Sequence, residues 1–257
     1  MANGLVTASD GTTVREDSRY RHGITVFYRK EVLSEPDPLE EEVIVYRDDE
    51  ILVADKPHGM LVTPAGDHLE RSLLVRLQRS TGLADLAPMH RLDRETAGII
   101  LFTINKAARG SYHGLFAERM IEREYLAMAQ VADAPKCEQW VVENRMEAGD
   151  PWYRRRIVDG TPNSITRIEL LEVRDGVGLF RLRPETGKKH QLRVHMASIG
   201  FPIMGDPLYP GIAEKRDEDP PLQLLANRLS FIDPLSGAPR NFTSSRKLRS
   251  GQTVPQI

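Results

Sequence analysis

The segment Gly98-Ile99-Ile100-Leu101-Phe102-Thr103 carries no charged side chain and is rich in β-branched and aromatic residues. Six residues are too few for a core helix but suit a buried strand, so the chain is committed to a sheet. Other short extended segments surround it. Glu42 to Tyr46 and Ile51 to Ala54 flank the turn-forming Asp48-Asp49-Glu50, and Lys56-Pro57-His58-Gly59 forms a second turn before a short extended piece at Met60 to Val62. Further strands are predicted at Glu124 to Ala129, Ile165 to Val173, Gly178 to Arg183 and Leu222 to Phe231, with a last hairpin turning at Asp233 to Gly237. Strands outnumber helices and often follow one another directly. This favours an α+β fold with a mixed, largely antiparallel sheet.

Three helices are expected to flank that sheet. Ser72 precedes the apolar-periodic Leu73, Leu74 and Leu77 as an N-cap, and Gly82 ends the segment. Asn105 caps a helix through Ala107, Ala108, Tyr112, Leu115 and Phe116. Lys188 to Ile199 reads as a third, with Thr186 or Gly187 at its N-cap and Gly200 just past its end. Residues 1–42 are polar, include the proline-spaced acidic stretch Glu35 to Pro38, and allow at most a short strand at Ile24 to Phe27. They read as an N-terminal extension to one domain spanning residues 43–257.

With 257 residues, 40% hydrophobic and 28% charged, the chain has the composition of an ordinary globular protein. Its single cysteine, Cys137, excludes a disulfide framework and a cysteine-based zinc site within one chain. The first residues lack a basic then apolar signal pattern, and no apolar run approaches the roughly 20 residues that span a bilayer. A cytoplasmic protein with no membrane partner is expected. The net charge of −2 does not by itself favour nucleic acid. Charge is segregated, however: acids gather from Glu35 to Glu50, whereas Arg91 and Arg94, Arg154-Arg155-Arg156, and Lys188-Lys189 with Arg193 form basic clusters. Phosphate responds to local potential, so this distribution permits RNA binding without establishing it.

Three segments combine polar chemistry with the ends of predicted elements. Met89 to Gly98, containing His90-Arg91-Leu92-Asp93, is a charged turn leading into the apolar strand, a place where a rigid scaffold can present reactive groups. On these residues alone, an Asp93 that caps the turn and pairs at the surface is the better reading. Arg183 to His195 runs from a strand end into a helix start that attracts anions, with Lys188 and Lys189 reinforcing it and Lys189 and Arg193 spaced i and i+4. His190 and His195, five apart with no acid between, miss the metalloprotease pattern and read as structural or RNA-facing, so no metal is expected. The third segment, Glu122 to Ala127, carries Tyr125, which alone would be a core residue.

Taken in order, these segments resemble the RluA-type branch of the pseudouridine synthases over roughly residues 43–245. Asp49 to Pro64 is similar to the opening strand and Lys-Pro turn of that family, His90 to Gly98 to its catalytic motif, Arg183 to His195 to its second signature, and Gly205-Asp206-Pro207-Leu208-Tyr209 to the loop that follows. The resemblance implies the pseudouridine synthase fold with an RNA-binding cleft across its sheet, action on structured RNA (ribosomal, transfer or both), no cofactor, and a monomer. It implies that Asp93 is the catalytic aspartate, that Tyr125 packs on the target base, that Arg193 pairs with Asp93, and that Arg91 fills the gap left by the extruded uridine. By the same motifs His90, Thr96, Lys188, Lys189, His190 and Gln191 are expected to contact the substrate. Ala97 stands where many relatives carry serine, and Ser164-Ile165-Thr166-Arg167 departs from the usual alanine, threonine, aromatic order. No S4-type RNA-binding domain is expected in residues 1–42, so target binding should come mostly from the catalytic domain, with Arg154 to Arg156 at the cleft edge.

The implied chemistry fits these residue types. Pseudouridylation breaks the N1–C1′ bond, turns the uracil and rejoins it through C5. A carboxylate can attack C1′, attack C6, or take the C2′ proton, and a neighbouring arginine favours its charged form. The target must leave its stack, which an aromatic face and an inserted cation offset. Two rivals differ in class. An inactive RNA-binding protein of the same fold is disfavoured by intact Asp93, Tyr125 and Arg193. A hydrolase using Asp93 with His90 or His195 lacks a Gly-x-Ser-x-Gly elbow or a His-Glu-x-x-His helix.

Overall fold

The computed structural model describes residues 6–28, 40–66, 69–132, 137–214, 216 and 219–249. The acidic stretch Glu35 to Pro38 lies outside them. Near the N-terminus, β1 (Val6–Ala8) and β2 (Val26–Tyr28) pair antiparallel, with Val6 opposite Tyr28. The expected strand at Ile24 to Phe27 is therefore present, starting two residues later and ending one later, and it has a partner that three residues of sequence did not reveal.

Eleven described strands form the main sheet. In chain order they are β3 (Val43–Arg47), β4 (Ile51–Lys56), β5 (Ala87–Pro88), β6 (Ala97–Thr103), β7 (Glu122–Gln130), β8 (Gln139–Ala148), β9 (Arg155–Val158), β10 (Ser164–Arg174), β11 (Val177–Pro184), β12 (Leu224–Ile232) and β13 (Pro239–Thr243). The spatial order is β3-β4-β6-β12-β7-β11-β10-β8-β9, with β5 on β6 and β13 on β12. Every neighbouring pair is antiparallel except β6 with β12, which run parallel. The mixed, largely antiparallel sheet expected from the sequence is thus present. Met60 to Val62 does not pair as a strand and continues the turn after β4 instead.

All seven residues of β6 are buried, because the sheet is covered on both faces. Ile100 and Phe102 share one cluster with Leu73 and Leu77 of α1 (Leu73–Thr81) and with Leu192 and Met196 of α3 (Gln191–Ser198). Ile99 and Leu101 share the opposite cluster with Tyr112 and Leu115 of α2 (Arg109–Ala117). Alternation along one strand therefore feeds two cores. Gly98 is fixed by the parallel crossing. A Cβ there would lie 2.2 Å from the Ala226 carbonyl oxygen, and its φ is +115°.

Two helix caps differ from expectation. Ser72 occupies the N-cap position of α1 but is buried, and its hydroxyl makes no capping bond. The first N–H groups of the helix, on Leu73 and Leu74, donate instead to the Leu61 and Val62 carbonyls at 2.8 and 3.0 Å, and at the other end the Gly82 N–H donates to the Gln78 carbonyl from a left-handed conformation. Asn105 does cap, accepting the Ala107 N–H at 2.9 Å, but through a single 3-10 turn at Lys106–Ala108 that then opens into α2.

Candidate active site

Asp93 sits in the turn before β6, where Thr96 N–H donates to the Asp93 carbonyl at 3.1 Å. The next two carbonyls are also taken. Arg94 C=O accepts from Lys56 Nζ at 3.0 Å, and Glu95 C=O accepts from His58 Nδ1 at 2.7 Å. Lys56 is completely buried at the end of β4 and donates as well to the carbonyls of Pro57 and Met60, at 2.9 and 2.7 Å. Burial pulls its pKa down to about 7, against the charges of Glu95 and Asp93, which raise it. The Lys-Pro turn therefore clamps the backbone of the Asp93 turn and leaves the Asp93 side chain about a quarter exposed.

The other half of the site is built by the start of α3. Lys188 to His190 form a turn rather than the first turn of the helix. His190, in a left-handed conformation at φ 57°, occupies the N-cap position expected for Thr186 or Gly187. The Gln191 side chain explains the shift: its Oε1 accepts from Lys188 N–H at 3.0 Å and Thr186 Oγ1 at 2.7 Å, while its Nε2 donates to Ile165 C=O and Thr166 Oγ1 at 2.9 Å each. Arg193, one turn into the helix, is 3% exposed. Its Nε and Nη2 bind the two carboxylate oxygens of Asp206 at 2.8 and 2.6 Å, and Nη1 lies 3.5 Å from Asp93 Oδ2. Burial works against the guanidinium charge, but Asp206 and Asp93 outweigh it and its pKa is raised.

Sheet register brings these halves to Tyr125. Ala226 of β12 pairs with Gly98 on one side and with Tyr125 of β7 on the other. The backbones of Gly98, which follows the Asp93 turn, and of Tyr125 are therefore two strand spacings apart, about 10 Å. Tyr125 shares a cluster with Leu92 and Leu192, the neighbours of Asp93 and Gln191, and its hydroxyl has no hydrogen-bond partner among the described residues. Burial raises its pKa, and the Asp93 charge adds to this. Both effects keep the phenol neutral.

The remaining expected contacts divide. His190 faces the site: Nε2 lies 3.8 Å from Asp93 Oδ2 and Nδ1 is 3.0 Å from the Tyr209 hydroxyl. Burial takes its pKa down to about 4. Arg91, Lys188 and Lys189 are exposed, so Lys189 does not share a helical face with the buried Arg193 as their spacing suggested. Three residues expected at the substrate are engaged within the fold. His90 turns inward: its Nε2 accepts the Leu101 N–H at 3.1 Å, continuing the ladder begun by Met89 N–H to Leu101 C=O, and its ring stacks on Phe116. Gln191 spends its amide on the fold, as described above. Thr96 is buried and serves the turn through its backbone. His195 is structural, with Nδ1 at 2.8 Å from Thr166 Oγ1 and Nε2 at 3.2 Å from Ser164 Oγ.

Lys56, Asp206 and Tyr209 are the site residues that local sequence reasoning did not assign. Lys56 and Asp206 belong to quoted motifs, so a signal was present, but a buried lysine and a buried aspartate become legible only once their partners are known. Among the described residues, no group of three or more His, Cys, Asp or Glu is placed to hold a metal.

Residues 50–198 match the family model described as RNA pseudouridylate synthase. The chain is 34% identical over 205 residues to the dual-specificity RNA pseudouridine synthase RluA of Escherichia coli K12, covering 78% of this chain and 91% of that protein. It is 28% identical over 270 residues to the ribosomal large subunit pseudouridine synthase D of Zymomonas mobilis, covering 94% and 82%. Among solved structures, human RNA pseudouridylate synthase domain containing 1 superposes with a TM-score of 0.68 at 25% identity, covering 83% of this chain and 86% of that one. The class is that of isomerases acting on uridines in RNA. The chain belongs to the RNA pseudouridylate synthase family, in its RluA-type branch.

Proposed function

We propose that Asp93 is the carboxylate that drives uridine isomerisation, that Tyr125 packs on the target uracil, and that Arg193 holds Asp93 in place. The observation that carries this reading is the 3.5 Å approach of a buried, Asp206-anchored guanidinium to a carboxylate that is itself open to solvent. Attack on C1′, attack on C6 and removal of the C2′ proton all need such an oxygen aimed past an apolar ring. In each route the N1–C1′ bond breaks, C5 bonds to C1′, C5 gives up its hydrogen as a proton, and N1 gains one. Substrate and product are isomers, so the net change needs no redox partner.

Arg91, exposed two residues before Asp93, is suited to enter the space vacated by the extruded base, and Lys188 and Lys189 to meet phosphate. The target is read as a uridine in a loop of ribosomal or transfer RNA, because one relative is a dual-specificity enzyme and another acts on the large ribosomal subunit. A monomer working in the cytoplasm without metal, with residues 43–257 as its catalytic domain, completes the reading. The test is to transcribe large-subunit ribosomal and transfer RNA with uridine tritiated at C5 and follow tritium release. Release with matching pseudouridine in a defined loop supports the reading, and no release from any transcript contradicts it.

A further inference from the structure

The hairpin joining β8 to β9 projects Trp152 into solvent with 79% of its surface exposed. Singly exposed apolar residues are ordinary. Trp152 differs because the backbone that carries it is fixed while the indole gains little from the fold. Gly149 N–H donates to Arg154 C=O and Arg154 N–H to Pro151 C=O, which closes the turn around it. The turn is then tied to the active site. Arg155 N–H donates to the Tyr209 hydroxyl at 2.7 Å, Arg154 Nη2 donates to Pro210 C=O at 2.8 Å, and the Arg154 guanidinium lies 5.1 Å from the Tyr209 ring centre. Tyr209 in turn meets His190, which faces Asp93. On the indole itself, Lys189 Nζ lies 5.7 Å from the ring centre, and Tyr153 meets it edge-on at 5.9 Å.

A rigid exposed indole with a cation at its face, tied through Tyr209 to the catalytic carboxylate, has the make-up of a nucleobase platform. We propose that Trp152 stacks an unpaired nucleobase that neighbours the target uridine in the RNA loop, while Lys189 meets the adjoining phosphate. This rests on the pseudouridine synthase reading of the site and deepens it by assigning a second base position. Extruding the target leaves its neighbours partly unstacked, and an aromatic platform replaces a lost stacking face without reading base identity. The substrate class is therefore a uridine flanked by at least one unpaired nucleotide.

The transcript that releases tritium fastest serves for the test. Trp152→Ala should raise KM about tenfold with kcat within about twofold, and Trp152→Phe should restore most of it. An abasic nucleotide scanned through the loop should, at one position beside the target, raise KM in the wild type and have no further effect in Trp152→Ala. Binding is read separately with oligouridylate. Wild-type tryptophan fluorescence should be quenched, and Trp152→Phe, where only Trp140 remains, should show no quenching. An unchanged KM in Trp152→Ala, or equal quenching in both proteins, overturns the platform. Quenching needs binding and not turnover, so it decides the platform independently. A wild type that modifies no transcript would instead count against the catalytic assignments.

Discussion

The turn that carries Asp93 and the helix start that carries Arg193 meet across one ion pair, yet they are held in opposite ways. The Asp93 turn is fixed through its backbone, with three successive carbonyls taken by Thr96, Lys56 and His58, and its carboxylate makes no hydrogen bond among the described residues. The α3 side is fixed through side chains: Gln191, Arg193 and His195 are all buried and all hydrogen-bonded. The contrast separates reactivity from position. In the proposed reading, a carboxylate whose loop is clamped at the backbone would keep its lone pairs for substrate, whereas a positioning guanidinium can commit two of its nitrogens to a structural partner.

The strongest way to break this contrast is Arg193→Ala. On sequence alone such a variant should lose turnover and keep RNA binding. The structure adds a folding cost, because Asp206 would be left as a buried charge without its cation, a loss of about 3–5 kcal/mol. Chemical denaturation should register that drop together with the loss of tritium release. Arg193→Lys should recover part of the stability and little of the turnover, since one ammonium cannot hold both carboxylates in this geometry.

The buried groups should also titrate in two windows. His190 and His195 on the α3 side, and His90 packed against Phe116, have native pKa values of about 4, 4 and 3, lowered mainly by burial. Between these values and the unfolded value near 6.5, the unfolded chain binds more protons than the native one, so stability falls as pH falls from about 6.5 to about 4. Lys56, at about 7 in the native state, makes stability fall again as pH drops from about 10.5 to 7. Denaturation midpoints measured across pH should show both slopes, and His195→Asn should reduce only the acid one, by up to about one proton. A flat profile from pH 4 to 6.5 would contradict the buried, neutral histidines.

Arg91→Ala should have the smallest structural effect. The side chain is exposed, so stability should stay within about 0.5 kcal/mol while KM for the RNA rises. Equal losses of stability and activity would mean that Arg91 supports the turn rather than the substrate.

Much of this was legible in the sequence, and unevenly so. The apolar run Gly98 to Thr103 announces a central strand because burial on both faces removes every polar position, and the alternation in β10 and β11 is nearly as plain. In contrast, β8 reads Gln-Trp-Val-Val-Glu-Asn-Arg-Met-Glu-Ala and is half exposed, and β9 is four residues with two arginines, so neither stands out from a loop. Asp93 could be located only through its place in an ordered series of motifs. The internal partners of Gln191 and His90 were not legible, for a common reason. A polar residue in a functional motif can serve the fold, and only its partners tell the two uses apart. Arg193 could be expected to meet Asp93, but its larger commitment to Asp206 depends on a loop 13 residues further on that the sequence does not orient.

The most direct test is Asp93→Asn, which is isosteric and removes no hydrogen bond to a described residue. Tritium release and mapped pseudouridine should fall by about a thousandfold or more, while the melting temperature and RNA affinity stay close to wild type. Turnover within about tenfold of wild type would contradict the assignment of Asp93 as the catalytic carboxylate.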